Sequence, residues 1–305
     1  MSNKSAIVFG GQGSQYVGMG IEIYQSFSEA RNVFNLASDI LGYDIAQMCF
    51  NGDQFELRKT KYFQLCILTV ELAINEVLKN IGVLFDAVAG YSLGEYAALV
   101  VAGSLNIRTA IQLVEARSTA MEFEVNDDIG KMVVVYKLDK NKIESICENI
   151  GTDYASIANY NSFNQVTVSV SKEVYDEFVN SIRDLNGRVI PLNVNRPFHH
   201  NMMKPAADKF KTDLNKVSFM KPLLPIYMNE NGKPLCNEND LYDKLYKQIY
   251  KPVQWTETIT NMINDGINCF YEISPKATLI SFIENISKGK VNVIDAVDFI
   301  NKGKR

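Results

Sequence analysis

Ser92 stands between Gly90 and Gly94 in "VAGYSLGEYAAL", residues 88–99. In a nucleophile elbow the serine occupies a strained strand-to-helix turn, and small residues two positions to either side let the backbone pass without a clash. The context fits, because "FDAVAG" (85–90) reads as a buried strand and "GEYAALVVAG" (94–103) as a helix opening at the turn. The backbone N–H of Leu93, just after the nucleophile, would then stabilise an oxyanion. A serine that merely caps a helix between two unrelated glycines is the alternative.

A serine hydroxyl needs a base that is neutral at physiological pH, most often histidine. The chain has only two, His199 and His200, adjacent in "NRPFHHNMMKP" at a junction between a strand and a helix. If imidazole activates Ser92, one of them is the base; otherwise the pair caps the helix that "NMMKPAADKF" begins. No acidic residue stands out as a third member, so a backbone carbonyl could orient the ring.

In "RTAIQLVEARSTAMEFEV" (108–125) the helical period puts Ala110, Leu113, Val114 and Met121 on one apolar stripe, with Arg117 in its middle and Gln112, Glu115, Thr119 and Glu122 opposite. An inward arginine is costly unless an anion meets it. That anion is an internal carboxylate, or it belongs to a substrate gripped by the planar guanidinium; a third outcome is a stem that snorkels to the surface. The loop "GGQGSQYVGMG" (10–20) lacks the Lys-Ser/Thr ending of a phosphate loop and does not fit G-x-G-x-x-G cleanly. Its small residues instead let backbone approach a reacting centre, where the Gln12 amide could be a second oxyanion donor.

These residues need a scaffold. With 305 residues and 47% hydrophobic content, the chain can bury a large core. Its 31 basic and 35 acidic residues, net −4, give no footprint for nucleic acid or an anionic membrane. No run approaches the roughly 18 apolar residues of a spanning helix, and the N-terminus lacks a signal-peptide core, so a soluble, cytoplasmic protein is expected. Five scattered cysteines with no C-x-x-C pair suit reduced, buried thiols better than a disulfide frame or a metal site.

Short apolar runs, "SAIVF" (5–9), "FDAVAG", "LLPIYM" (223–228) and "NCFYEI" (268–273), alternate with amphipathic stretches, the pattern of an α/β fold with a parallel sheet. Between about 129 and 194 the order becomes β-α-β-β-α-β, a ferredoxin-like signature. The expected architecture is a large α/β subdomain, 1–128 and 195–305, carrying an inserted ferredoxin-like subdomain, 129–194.

Together the segments resemble the malonyl-CoA:acyl carrier protein transacylase family, which includes polyketide synthase acyltransferases. "FGGQGSQYVGMG" is similar to the family's F-P-G-Q-G-S-Q-x-x-G-M-G, "GYSLGEYAALVVAG" to G-H-S-L-G-E-Y-x-A-L, "LVEARSTAM" to its arginine segment, "PFHHNMM" to A-F-H-S-x-x-M, and "QIYKPVQWTETI" to Q-x-x-x-P-V-x-W. The resemblance implies an α/β-hydrolase-like core and a ping-pong transfer: Ser92 attacks malonyl-CoA, His199 takes its proton, and the amides of Gln12 and Leu93 hold the oxyanion. It further implies that Arg117 grips the free carboxylate, that the Gln248 carbonyl orients His199, and that Tyr91, Met121, Phe198 and His200 border the acyl pocket. No cofactor or metal is implied beyond the thioester of coenzyme A and the phosphopantetheine of the acyl carrier protein, and a monomer is expected. Tyr91 replaces the family's histidine, Gly10 its proline and His200 its serine, while Leu93 and Phe198 match malonyl-type members. A free-standing polyketide acyltransferase with an unusual extender unit is therefore a competing reading. A hydrolase that clears stalled acyl groups is another, disfavoured by the retained Arg117.

Overall fold

A computed structural model describes residues 4–126, 128–194 and 196–303. Residue 195, where the second large segment is expected to begin, lies outside the described residues. Among the described residues, nine strands form two separate sheets. The first is wholly parallel: β1 (Lys4–Phe9), β2 (Ala87–Gly90), β7 (Ile226–Tyr227), β8 (Ile267–Ile273) and β9 (Asn292–Asp295) lie in the order β7-β2-β1-β8-β9. The second is wholly antiparallel: β3 (Gly130–Tyr136), β4 (Ala155–Ser162), β5 (Gln165–Ser171) and β6 (Arg188–Pro191) lie in the order β4-β5-β3-β6.

The unbroken apolar run of β1 follows from burial on both faces. Ile7 and Phe9 join one core, with the helices Thr60–Asn80 and Ile107–Phe123, while Ala6 and Val8 join another with Trp255, Phe270 and Ile283. Helix Thr60–Asn80 is buried from Phe63 through Asn75, which is why its sequence shows little polar face. Helix Ile107–Phe123 begins where the Asn106 side chain accepts the Thr109 N–H at 2.8 Å.

The antiparallel sheet has its own core, in which Val133, Val168, Phe178 and Ile182 meet. It is tied back to the large unit through β4, where Val253 N donates to Ala158 O at 2.9 Å and Tyr160 N to Val253 O at 3.0 Å. Edge strand β9 is not in the sequence reading, because its four residues are exposed or half-buried and carry no continuous apolar run. Cys49, Cys66 and Cys147 are buried, but Cys236 is exposed and Cys269 half-buried, so the expected burial of all five thiols is corrected for these two.

Candidate active site

β2 ends at Gly90, and the chain turns through Ser92 at φ 52° before helix Gly94–Val101. The two glycines are steric necessities. A Cβ on Gly90 would sit 2.0 Å from the carbonyl carbon of Gly94, and one on Gly94 would sit 2.3 Å from the oxygen of Gly10. The turn is pinned by Tyr91 N, which donates to Phe9 O at 2.9 Å, and by Ser92 N, which donates to Asn229 Oδ1 at 2.7 Å. Neither the Leu93 nor the Gln12 backbone N–H meets an acceptor among the described residues.

His199, also left-handed at φ 57°, faces the serine: its Nε2 lies 2.7 Å from Ser92 Oγ. Its Nδ1 lies 2.7 Å from the Gln248 carbonyl oxygen, which can only accept. The proton of a neutral ring must therefore be on Nδ1, leaving Nε2 to accept from the serine hydroxyl. Burial, then the nearby charge of Arg117, lowers the imidazole to about 4, with the Gln248 carbonyl partly opposing the shift, so the ring is neutral at physiological pH. The loop carrying it is held from the small sheet, where Ser169 Oγ donates to Phe198 O at 2.6 Å.

His200 does not border this site, and the expectation that it would is corrected. Its Nε2 donates to Thr152 O at 3.0 Å and its Nδ1 accepts from Met202 N at 3.1 Å, capping the short 3-10 turn Asn201–Met203. Both ring nitrogens are thereby used, in a side chain that points at the loop before β4.

Arg117 is 1% exposed. Nη1 donates to Gln64 Oε1 at 2.6 Å, Nη2 to Gln248 Oε1 at 3.1 Å, and the guanidinium lies over the Tyr96 ring at 5.5 Å. Its Nε has no partner, and no described carboxylate forms an ion pair with it. Of the readings open for this arginine, both the snorkelling stem and the internal salt bridge fall away. Gln248 is doubly placed, holding His199 with its backbone and Arg117 with its side chain.

Ser92, His199 and Arg117 line one cavity of about 260 Å³, together with Gln12, Leu93, Tyr91, Met121 and Phe198. Tyr91 donates its hydroxyl to Asn161 Oδ1 at 2.6 Å, and Asn161 Nδ2 reaches Thr167 Oγ1 at 2.9 Å, so one wall is anchored in the small sheet. A larger depression of about 570 Å³, lined by Tyr43, Asp44, Glu56 and Glu115, holds no serine, cysteine or histidine. No cluster that could hold a metal ion occurs among the described residues.

Three residues of this network escape sequence reasoning: Gln64, Asn229 and Glu95. The buried Glu95 carboxyl receives Asn229 and Gln248, and burial pushes it up to about 7. Its local signals are its proximity to Ser92 in sequence and its match to the Glu of the G-H-S-L-G-E-Y motif, which do not reveal its role because the amides that meet it come from distant segments.

A turn that presents a serine to a neutral histidine, two backbone amides without acceptors and a buried guanidinium is suited to acyl transfer. The chain belongs to the acyl transferase domain family, whose model matches residues 6–299. It is 36% identical over 284 residues to the malonyl CoA-acyl carrier protein transacylase of Escherichia coli, covering 92% of each chain. A solved transacylase of the same name from Clostridium perfringens is 34% identical and superposes with a TM-score of 0.93 over 99% of this chain and 97% of that one. A malonyl-transacylase solved in complex with its type II polyketide synthase acyl-carrier protein is also 34% identical, with a TM-score of 0.92 over 95% of each chain.

Proposed function

We propose that this protein transfers a malonyl group from coenzyme A to the phosphopantetheine thiol of an acyl carrier protein, in fatty-acid or polyketide synthesis, through an acyl-Ser92 intermediate. The observation that carries the reading is the 2.7 Å contact between Ser92 Oγ and His199 Nε2 in a cavity shared with Arg117. As Ser92 Oγ attacks the thioester carbonyl, its proton passes to His199 Nε2, and the Leu93 and Gln12 amides receive the developing oxyanion. Collapse forms the serine ester and breaks the carbon–sulfur bond, and the proton moves from Nε2 to the departing coenzyme A thiol. The carrier thiol then gives its proton to Nε2 and attacks the ester, and Ser92 Oγ recovers that proton as it leaves.

The substrate carboxylate would complete the hydrogen bonding of Arg117, and an acetyl group would leave the guanidinium with its internal amides alone. Similarity to named malonyl transacylases supports the same choice. No cofactor of the chain's own is needed, since the thioester supplies the activated acyl group. We also read the chain as an α/β-hydrolase-like subdomain, 1–128 and 195–305, carrying a ferredoxin-like one, 129–194, a reading supported by the two separate sheets. Incubation with malonyl-CoA is expected to add one malonyl unit by intact mass, and Ser92→Ala is expected to lose the adduct. An adduct that survives the substitution would sink the proposal.

A further inference from the structure

Glu95 lies in the first turn of helix Gly94–Val101 and is 1% exposed. Its oxygens receive donors only. Oε1 accepts from Asn229 N at 2.7 Å and from Asn229 Nδ2 at 2.9 Å, and Oε2 accepts from Gln248 Nε2 at 2.5 Å. An ionised carboxylate has no proton to give, so any amide side chain that meets it must turn its NH2 end inward and its oxygen away. For Asn229 the outward oxygen receives Ser92 N; for Gln248 it receives Arg117 Nη2. The same Gln248 NH2 also donates to Ser92 O at 2.8 Å, which leaves no second orientation for the amide.

We propose that Glu95 is a positioning residue for recognition of the malonyl carboxylate: as a group that only accepts, it fixes the Gln248 amide so that its oxygen holds the Arg117 guanidinium. The inference rests on the acyl-transfer reading above. Gln248 acts as a spacer between two buried opposite charges. A direct ion pair would saturate the guanidinium and make an incoming carboxylate a competitor of Glu95. Held by neutral amide oxygens instead, Arg117 keeps its charge for the substrate.

Glu95→Gln conserves shape but not hydrogen-bond direction. The two Asn229 donors keep the new oxygen on their side, so the new NH2 group faces Gln248 Nε2. Two NH2 groups cannot bond, and a reversed Gln248 amide would set its NH2 against Arg117 and its oxygen against Ser92 O. Protonation of Glu95 on Oε2 has the same effect. Burial raises this carboxyl to about 7, its donors and Arg117 partly opposing. The titratable and charged groups around it are Arg117, from helix Ile107–Phe123, the Tyr96 phenol, raised by burial, and His199 beyond Gln248, which is already neutral.

The test measures Ser92 acylation by malonyl-CoA and by acetyl-CoA between about pH 5.5 and 8.5 for wild type, Glu95→Gln and Glu95→Asp. Glu95→Gln is expected to lower the malonyl-to-acetyl ratio at least ~10-fold, mainly through the KM for malonyl-CoA. Glu95→Asp, shorter but still an acceptor, is expected to stay nearer wild type. The wild-type ratio should fall as pH drops through about 7, and that of Glu95→Gln should be flat. An equal loss for both substrates in Glu95→Gln, or Gln outperforming Asp, would assign Glu95 to packing and overturn the proposal. If Glu95→Gln does not fold, the wild-type curve decides, and a ratio constant across neutral pH overturns it. Wild type that never acquires malonyl removes the acyl-transfer reading itself, and this inference with it.

Discussion

Ser92 and His199 each occupy the left-handed backbone region, at φ 52° and 57°, and their side chains meet at 2.7 Å. Neither conformation is natural for a side chain with a Cβ, so both are imposed by their surroundings: Asn229 and the crossing glycines on one, Ile249 O and Gln248 O on the other.

This strain separates two inactive variants. Ser92→Ala and Ser92→Gly both lose the contact with His199, but only alanine must still hold a positive φ. Ser92→Gly is expected to be the more stable by about 1 kcal/mol in urea unfolding, and the reverse order would show that the turn is unstrained.

The depressed pKa of His199 sets an acid limb. Acetyl-CoA loading, which does not depend on Arg117 recognition, is expected to hold as pH falls below the ordinary imidazole value and to be lost around the folded-state value of about 4. Because the unfolded ring binds its proton at higher pH than the folded one, stability falls as pH drops from about 6.5 towards 4. A kinetic midpoint at the ordinary histidine value would mean that the ring is more solvated than its burial indicates.

Arg117→Ala is expected to reduce malonyl loading at least ~10-fold, and the malonyl-to-acetyl ratio with it. Arg117→Lys should not restore the ratio, since a point charge cannot satisfy Gln64 and Gln248 together and still present a fork to a carboxylate. Steady-state rates with both thioesters check this, and an unchanged ratio in either variant would remove the residue's assigned role.

Tyr91→Phe keeps the ring against Trp255 at 5.5 Å but removes the donor to Asn161, which is 2% exposed. Leaving that buried oxygen unpaired is expected to cost about 1–3 kcal/mol in chemical unfolding. A double-mutant cycle with Asn161→Ala should recover most of this as coupling, and additive losses would show that the two side chains act independently.

Ser92, His199 and Arg117 are legible in the sequence because each breaks a local rule: a serine among spaced glycines, the only histidines, a cation on an apolar stripe. The parallel sheet and the small antiparallel one are legible through the spacing of apolar runs. Glu95, Asn229 and Gln64 are not, because an amide or carboxyl facing inward looks the same in sequence as one facing water until its partner is known. His200 misleads for the opposite reason: its neighbour lines the cavity, but one step along the chain the side chain turns to Thr152.

The backbone crossing at Gly90, Gly94 and Gly10 makes the floor under Ser92 rigid, with no room for even a methyl group. Engineering towards bulkier acyl donors must therefore widen the cavity elsewhere along its lining, at Met132, Leu192 and Phe198. The substrate range of this scaffold can thus be evolved through its smaller sheet and the loop that follows it, while the reacting atoms stay where they are.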